Sequence, residues 1–294
     1  MRVVGVPAFE EEETIGKVVV AARRFCDRVV VVDDGGGDYT GDIAEGLGAT
    51  VIRHPGNEGY GASISSLFKY AYENDVDVLV TLDGDGQHDP GDIPRLLEAL
   101  QDADMVIGSR FLAGSETDVS DQRRMGIEVI TRVMELTAGL RLTDAQSGFR
   151  AYNRRAVDVL RHAVNSGMGM SVETLSLAIE NKLKIVEVPI SCRYAGLRTS
   201  TYNPWRHGFS VLATVFQVIV EAHPLRWLGV PALLFTMLGL FFWSYAITFF
   251  LRHQVLLVNY TILGVGSLIF GAIFLSSAIN FYILSRIRTE IRKK

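Results

Sequence analysis

Val76-Asp77-Val78-Leu79-Val80-Thr81-Leu82-Asp83-Gly84-Asp85-Gly86-Gln87-His88 is the stretch from which the rest of the chain can be read. Its first seven residues form a β-branched, apolar run, the pattern of a strand buried on both faces. The next residues are polar and carry two carboxylates two positions apart. In extended backbone, residues i and i+2 point to the same side. The spacing therefore predicts that Asp83 and Asp85 present a hard-oxygen pair suited to Mg²⁺ or Mn²⁺, with Gln87 adding a neutral oxygen. A cation held there would also grip a diphosphate. The competing assignment is a solvated turn, and the position directly after a buried strand favours the site.

Working outward, short Val- and Ile-rich runs alternate with helix-period segments. Strands are expected at Val3–Pro7, Arg28–Val32, Thr50–Arg53, Val76–Leu82, Asp104–Ile107 and Lys184–Val188. Helices are expected at Glu12–Phe25, Thr40–Leu47, Ala62–Glu73, Ile93–Ala99, Ile127–Ala138 and Val172–Asn181. The alternation predicts an α/β fold, a mainly parallel sheet covered by helices on both faces. In such sheets ligands sit beyond the carboxyl ends of the strands. Pro7-Ala8-Phe9-Glu10-Glu11, Asp33-Asp34-Gly35 and Asp83-Gly84-Asp85 all fall there. Asp34 is placed to hydrogen-bond a base or ribose, with a turn or cap aspartate as the alternative. Gly35-Gly36-Gly37 allows close backbone approach but is not GxGxxG, which disfavours a dinucleotide fold.

The 294 residues are 48% hydrophobic and 21% charged, with a formal net charge of −4. That composition is globular, and it offers no overall basic field for nucleic acid. Anion binding must come from local arginines. Arg110, Arg123, Arg124, Arg150 and Arg198 are the candidates, because a guanidinium fork suits phosphate oxygens. Each also has an ordinary surface or ion-pair alternative. His54 and His88 are candidate ligands or bases, His88 the better placed of the two. Cys26 and Cys192 are expected to be reduced thiols. Met1-Arg2 runs straight into Val3–Val6 without a signal-peptide core, so the N-terminal part is expected on the cytoplasmic side.

Leu228–Leu251 and Tyr260–Ser285 are 24 and 26 residues long and carry no charge. About 20 apolar residues cross a bilayer as a helix, so a transmembrane hairpin is expected, against the alternative of two buried core helices. Basic residues cluster outside the hairpin loop: Arg206 and Arg226 before it, Arg286, Arg288, Arg292, Lys293 and Lys294 after it, and Arg252 alone within. Both ends are then cytoplasmic. Trp227, Trp243 and Tyr260 are candidate interface aromatics. The expected organisation is a catalytic domain over residues 1–205, an interfacial or linker helix over 206–225, and the membrane part over 226–294, with spans near 228–251 and 260–285.

Together, the Pro7–Glu11, Val32–Gly35, Asp83–His88 and Gly108-Ser109-Arg110 motifs make the chain resemble the family 2 glycosyltransferases, specifically the dolichyl-phosphate mannose synthase-like group. The resemblance covers roughly residues 1–200. It implies a GT-A fold and inverting transfer of a hexose from a nucleotide-sugar, of GDP-mannose or UDP-glucose type, to a polyprenyl phosphate. It further implies that Pro7, Phe9, Glu11, Val32, Asp34, Leu82, Asp83, Gly84, Asp85 and Gln87 line the donor site. Asp83, Asp85 and Gln87 would hold the metal and diphosphate. Arg110, Arg123 or Arg124, and Arg198 would bind the lipid phosphate, and the Thr143–Arg150 loop would lie near the acceptor. Two positions depart from the family pattern: Glu10 stands where Asn is usual and Gly36 where Ser is usual. The alternatives are a transferase using a saccharide acceptor, with Asp144 as its base, and a non-catalytic nucleotide-sugar-binding membrane protein.

Overall fold

The computed structural model describes residues 1–117, 131, 142–163, 169–193 and 224–291. The chain divides into two compact units, Met1–Val211 and Leu212–Lys294.

The first unit is built on β1 (Arg2–Ala8), β2 (Arg28–Asp33), β3 (Thr50–Arg53), β4 (Val78–Thr81), β5 (Met105–Ser109), β6 (Glu116–Thr117), β7 (Arg150–Asn153), β8 (Ile185–Pro189) and β9 (Ser191–Cys192). A seven-stranded sheet runs in the order β3-β2-β1-β4-β7-β5-β8. All its pairings are parallel except those of β7, which runs antiparallel between β4 and β5. Among the described residues the α-helices of this unit include α1 (Ile15–Ala22), α2 (Thr40–Gly46), α3 (Tyr60–Glu73), α4 (Ile93–Ala99), α5 (Arg154–Leu160) and α6 (Met170–Glu180). Val29, Val30, Val31 and Val32 are all 0–1% exposed. This is why β2 reads as an unbroken apolar run rather than an alternating one.

β7 was not foreseen, since residues 143–150 read as a polar loop. Only Ala151 and Tyr152 are apolar in it, and its outer residues have polar duties. Arg150 turns inward, and the Asn153 side chain caps α5 by accepting from the Ala156 N–H at 2.9 Å. A four-residue strand with two such ends carries no periodic signal. Of the helix expected at 127–138 only Thr131, which is helical and buried, is among the described residues, and most of the expected 206–225 segment lies outside them.

The second unit contains α7 (Pro224–Trp227), α8 (Gly229–His253) and α9 (Val258–Ile291). Leu225–His253 and Val258–Ile283 are long and apolar enough to cross a membrane. On α8 the buried small residues are Ala232, Gly239 and Ala246, and on α9 Gly264, Gly271 and Ala278, each set at a spacing of seven. A Cβ on Gly239 would meet the Gly264 carbonyl oxygen and the Leu268 N at 2.9 Å. The two backbones therefore touch, which is how apolar helices pack when water supplies no driving force.

Candidate active site

The ends of β1, β2 and β4 meet at one edge of the sheet, and short polar bonds tie their loops together. The Glu11 N–H donates to Thr40 Oγ1 at 2.8 Å. Thr14 Oγ1 lies 2.7 Å from the Gly84 carbonyl oxygen and 3.0 Å from Glu11 Oε2. Thr14 thus joins the first loop to the Asp83-Gly84-Asp85 turn. That segment is not extended as the sequence reading had it. β4 stops at Thr81, residues 84–85 turn, and Gly86 has φ +71°. Asp85 Oδ1 caps this turn by accepting from the Gln87 N–H at 3.0 Å.

Asp83 is gripped by His88, a candidate ligand or base from the sequence, and by Tyr60, which the sequence did not single out. His88 Nε2 lies 3.6 Å from Asp83 Oδ2, and the Tyr60 hydroxyl hydrogen-bonds the same carboxylate. Gly148 packs against both. A Cβ there would fall 2.6 Å from either Asp83 oxygen and 2.8 Å from the Tyr60 hydroxyl. Burial and the Asp83 charge push the Tyr60 phenol well above its usual value. For His88, burial works toward a lower pKa, but Asp83 and Cys192 outweigh it and raise the imidazole to about 10.

The carboxylates concentrate negative charge. Glu11 is raised from 4.5 to about 7, first by burial and then, against its Thr14 hydrogen bond, by Asp85, Asp83 and Asp38. Oxygen donors under mutual repulsion fit a hard divalent cation. Among the described residues no group of three or more His, Cys, Asp or Glu side chains is arranged to hold a metal. A cation on Asp83 and Asp85 would take its other ligands from a diphosphate and water, as Mg²⁺ commonly does.

Of the residues expected to line the donor site, Phe9, Glu11, Asp83, Asp85 and Gln87 reach the surface, Phe9 being 39% exposed. Pro7 and Gly84 are buried, and Val32 and Leu82 are 0% exposed, in the layer beneath. Asp34 is buried too. Its Oδ1 lies 2.6 Å from His54 Nδ1 and accepts from the Glu58 N–H, while Oδ2 accepts from the Gly59 N–H.

Arg110, at the end of β5, forms a two-pronged ion pair with Asp144, Nε to Oδ2 at 2.6 Å and Nη2 to Oδ1 at 2.8 Å. Asp144, the candidate base for a saccharide acceptor, is 0% exposed. A fully buried carboxylate with both oxygens on a guanidinium is not placed to take a substrate proton. Glu187 on β8 fastens this loop by accepting from the N–H groups of Thr143 and Asp144. Burial raises the pKa of Glu187, opposed by the N–H groups of Asp144 and Thr143 and by the Thr143 hydroxyl, with Asp144's charge raising it further. Arg150 faces inward, onto the Ser147 and Ala145 carbonyl oxygens and Thr174 Oγ1. It is a loop staple rather than a phosphate ligand. Arg123, Arg124 and Arg198 lie outside the described residues.

The sequence profile described as glycosyl transferase family 2 matches residues 3–161. An uncharacterized protein of Methanocaldococcus jannaschii is 32% identical over 221 residues, covering 74% of this chain and 90% of that protein. An undecaprenyl-phosphate mannosyltransferase of Micrococcus luteus is 35% identical over 198 residues, covering 63% of this chain and 81% of that one. Among solved structures, glucosyl-3-phosphoglycerate synthase of Mycobacterium tuberculosis, in complex with Mn²⁺, UDP and glucosyl-3-phosphoglycerate, aligns with a TM-score of 0.55. That alignment covers 76% of this chain and 79% of the other at 20% identity, a likeness of fold.

Proposed function

Because the chain belongs to glycosyl transferase family 2, we propose that it transfers a hexose, with inversion, from a nucleoside-diphosphate sugar to a polyprenyl phosphate at a membrane. The observation that carries this is the pairing of two features in one chain. Asp83 and Asp85 stand at the ligand edge of the sheet, and two helices are long enough to cross a bilayer. The name of the Micrococcus luteus relative, an undecaprenyl-phosphate mannosyltransferase, supports the acceptor class.

In this proposal the acceptor phosphate oxygen attacks the anomeric carbon, and the nucleoside diphosphate leaves from the opposite face. A phosphate monoester has a second pKa of about 6, so it is largely dianionic near neutral pH and needs no base. That agrees with Asp144 being committed to Arg110. Asp83 and Asp85 would hold Mg²⁺ or Mn²⁺ at the donor diphosphate, and Phe9, Glu11 and Asp34 flank the nucleoside. A bound divalent cation would neutralise charge developing on the departing diphosphate. Arg110, its Nε and Nη2 still on Asp144, joins Arg123 or Arg124 and Arg198 in holding and orienting the acceptor phosphate. The catalytic unit works from the cytoplasmic face.

A donor screen tests this, with purified protein, Mg²⁺ or Mn²⁺, a polyprenyl phosphate, and labelled GDP-mannose, UDP-glucose or a UDP-N-acetylhexosamine. Label should pass into an organic-extractable lipid. Asp85→Ala should abolish transfer while the protein stays folded and membrane-bound. Near-wild-type transfer by that variant would remove the metal role, and label appearing only in saccharide would remove the lipid acceptor.

A further inference from the structure

Asp34 ends a chain of hydrogen bonds that the mechanism above does not use. His54 follows β3. Its Nδ1 lies 2.6 Å from Asp34 Oδ1 and its Nε2 lies 2.9 Å from Ser66 Oγ on α3. The side chains of His54 and Asp34 are 9% and 4% exposed, so water competes little for either contact. A carboxylate only accepts. Nδ1 therefore carries a proton toward Asp34, and Nε2 faces the Ser66 hydroxyl, which can donate or accept. Asp34 thus fixes which ring nitrogen carries a proton, and Ser66 anchors the other end of the ring. The contact order is that of a nucleophilic relay. Here, however, Asp34 rather than Ser66 stands at the ligand edge of the sheet, so the relay runs toward the carboxylate.

Asp34 has about four acceptor positions on its two oxygens. Oδ1 takes His54 Nδ1 and the Glu58 N–H at 3.1 Å, and Oδ2 takes the Gly59 N–H at 2.8 Å. One position is left, on Oδ2. We propose that His54, held in place by Ser66, is a positioning residue that aims this last acceptor position at one donor group of the nucleoside, a base N–H or a ribose hydroxyl. The proposal rests on the assignment of Asp34 to the nucleotide pocket. It adds that the pocket's selectivity depends on a histidine outside it.

Two substitutions separate this from mere support of the loop. The amide nitrogen of Asn superimposes on Nδ1 of His, and that of Gln on Nε2. His54→Asn therefore keeps the donor to Asp34, and His54→Gln keeps only the Ser66 contact. Affinities for UDP and GDP with Mg²⁺, donor KM and kcat would be measured on the full chain in detergent, with thermal melts alongside. His54→Gln should weaken binding of the preferred nucleotide about tenfold, the effect of one lost charge-assisted hydrogen bond, with the change in KM rather than kcat. His54→Asn should recover most of it. Equal weakening of UDP and GDP assigns the donor to the ribose, and weakening of one alone assigns it to the base. Equal affinity loss in both variants, or none in His54→Gln, overturns the relay. Asp34→Ala separates the two layers: unchanged nucleotide affinity in that variant overturns the pocket assignment itself, whereas loss there without loss in His54→Gln overturns only the positioning role.

Discussion

Glu10 has φ +57°, the left-handed region where a Cβ crowds the neighbouring carbonyl. Asn tolerates that region better, because its short amide can bond locally. Asn is also the residue usual at this position in the family that the chain resembles. Glu10→Asn should therefore stabilise the protein by about 0.5–1 kcal/mol, seen as a higher thermal midpoint in the same detergent. A lower midpoint would show that the Glu10 side chain has a compensating partner. A Cβ on Gly36 would lie 3.2 Å from the Glu10 backbone nitrogen and 3.3 Å from Asp38 Oδ1. The two departures from the family motif are thus neighbours, and Glu10 sits where the side chain of a Gly36→Ser variant would need room. At this scale the sequence made Asp83 and Asp85 legible because a polar pair after an apolar strand stands out. Tyr60, Gly148 and Glu187 were not, since each acts through a contact spanning many residues of chain. The locked state of Asp144 was hidden for the same reason.

Among the elements, β5, β7 and β8 are pinned together by one buried carboxylate. Asp104 Oδ1 accepts from Asn153 Nδ2 at 2.9 Å, and Oδ2 accepts from the Lys184 N–H at 2.8 Å and from Arg155 Nη1 at 3.1 Å. Burial works to raise the Asp104 pKa, but these donors outweigh it and hold the group below its usual 3.8. With the folded pKa below the unfolded one, the unfolded chain binds more protons in that window. The contribution is therefore complete above pH 3.8 and is lost as pH falls through the folded value. Asp104→Asn should cost roughly 1–2 kcal/mol at pH 7, and the difference from wild type should shrink in acid. Denaturant titrations at both pH values check this, and an equal gap at each would rule it out. In the second unit, Gly239→Leu should drive α8 and α9 apart, at a cost of roughly 1–3 kcal/mol. SDS titration should show a lower midpoint for it but not for Leu240→Ile, whose side chain is 51% exposed. The parallel strands and the two long helices were readable because each is a strong apolar run. β7 was not, because a strand inserted against the chain's direction is defined by its partners rather than by its own four residues.

For the whole molecule, the uneven placement of basic residues predicts which side of a bilayer each end occupies. Arg226 precedes the first long helix, and Arg286, Arg288, Arg292, Lys293 and Lys294 follow the apolar part of the second, whereas the connection near Gln254 carries Arg252 alone. Loops rich in Lys and Arg stay cytoplasmic, so the turn should face outward and both ends inward. Cysteine labelling checks this in intact cells, in a Cys26→Ser background, since Cys192 is 1% exposed. Gln254→Cys should react with a membrane-impermeant maleimide added outside, and Lys294→Cys only after lysis. The reverse pattern would put the unit that precedes α8 outside as well, because among the described residues one span separates it from the turn. A donor edge built from Glu11, Asp83 and Asp85 would then face the exterior, and cytoplasmic nucleotide-sugar could not reach it without crossing the bilayer. Labelling thus tests the topology and the donor's side of the membrane together, independently of any turnover assay.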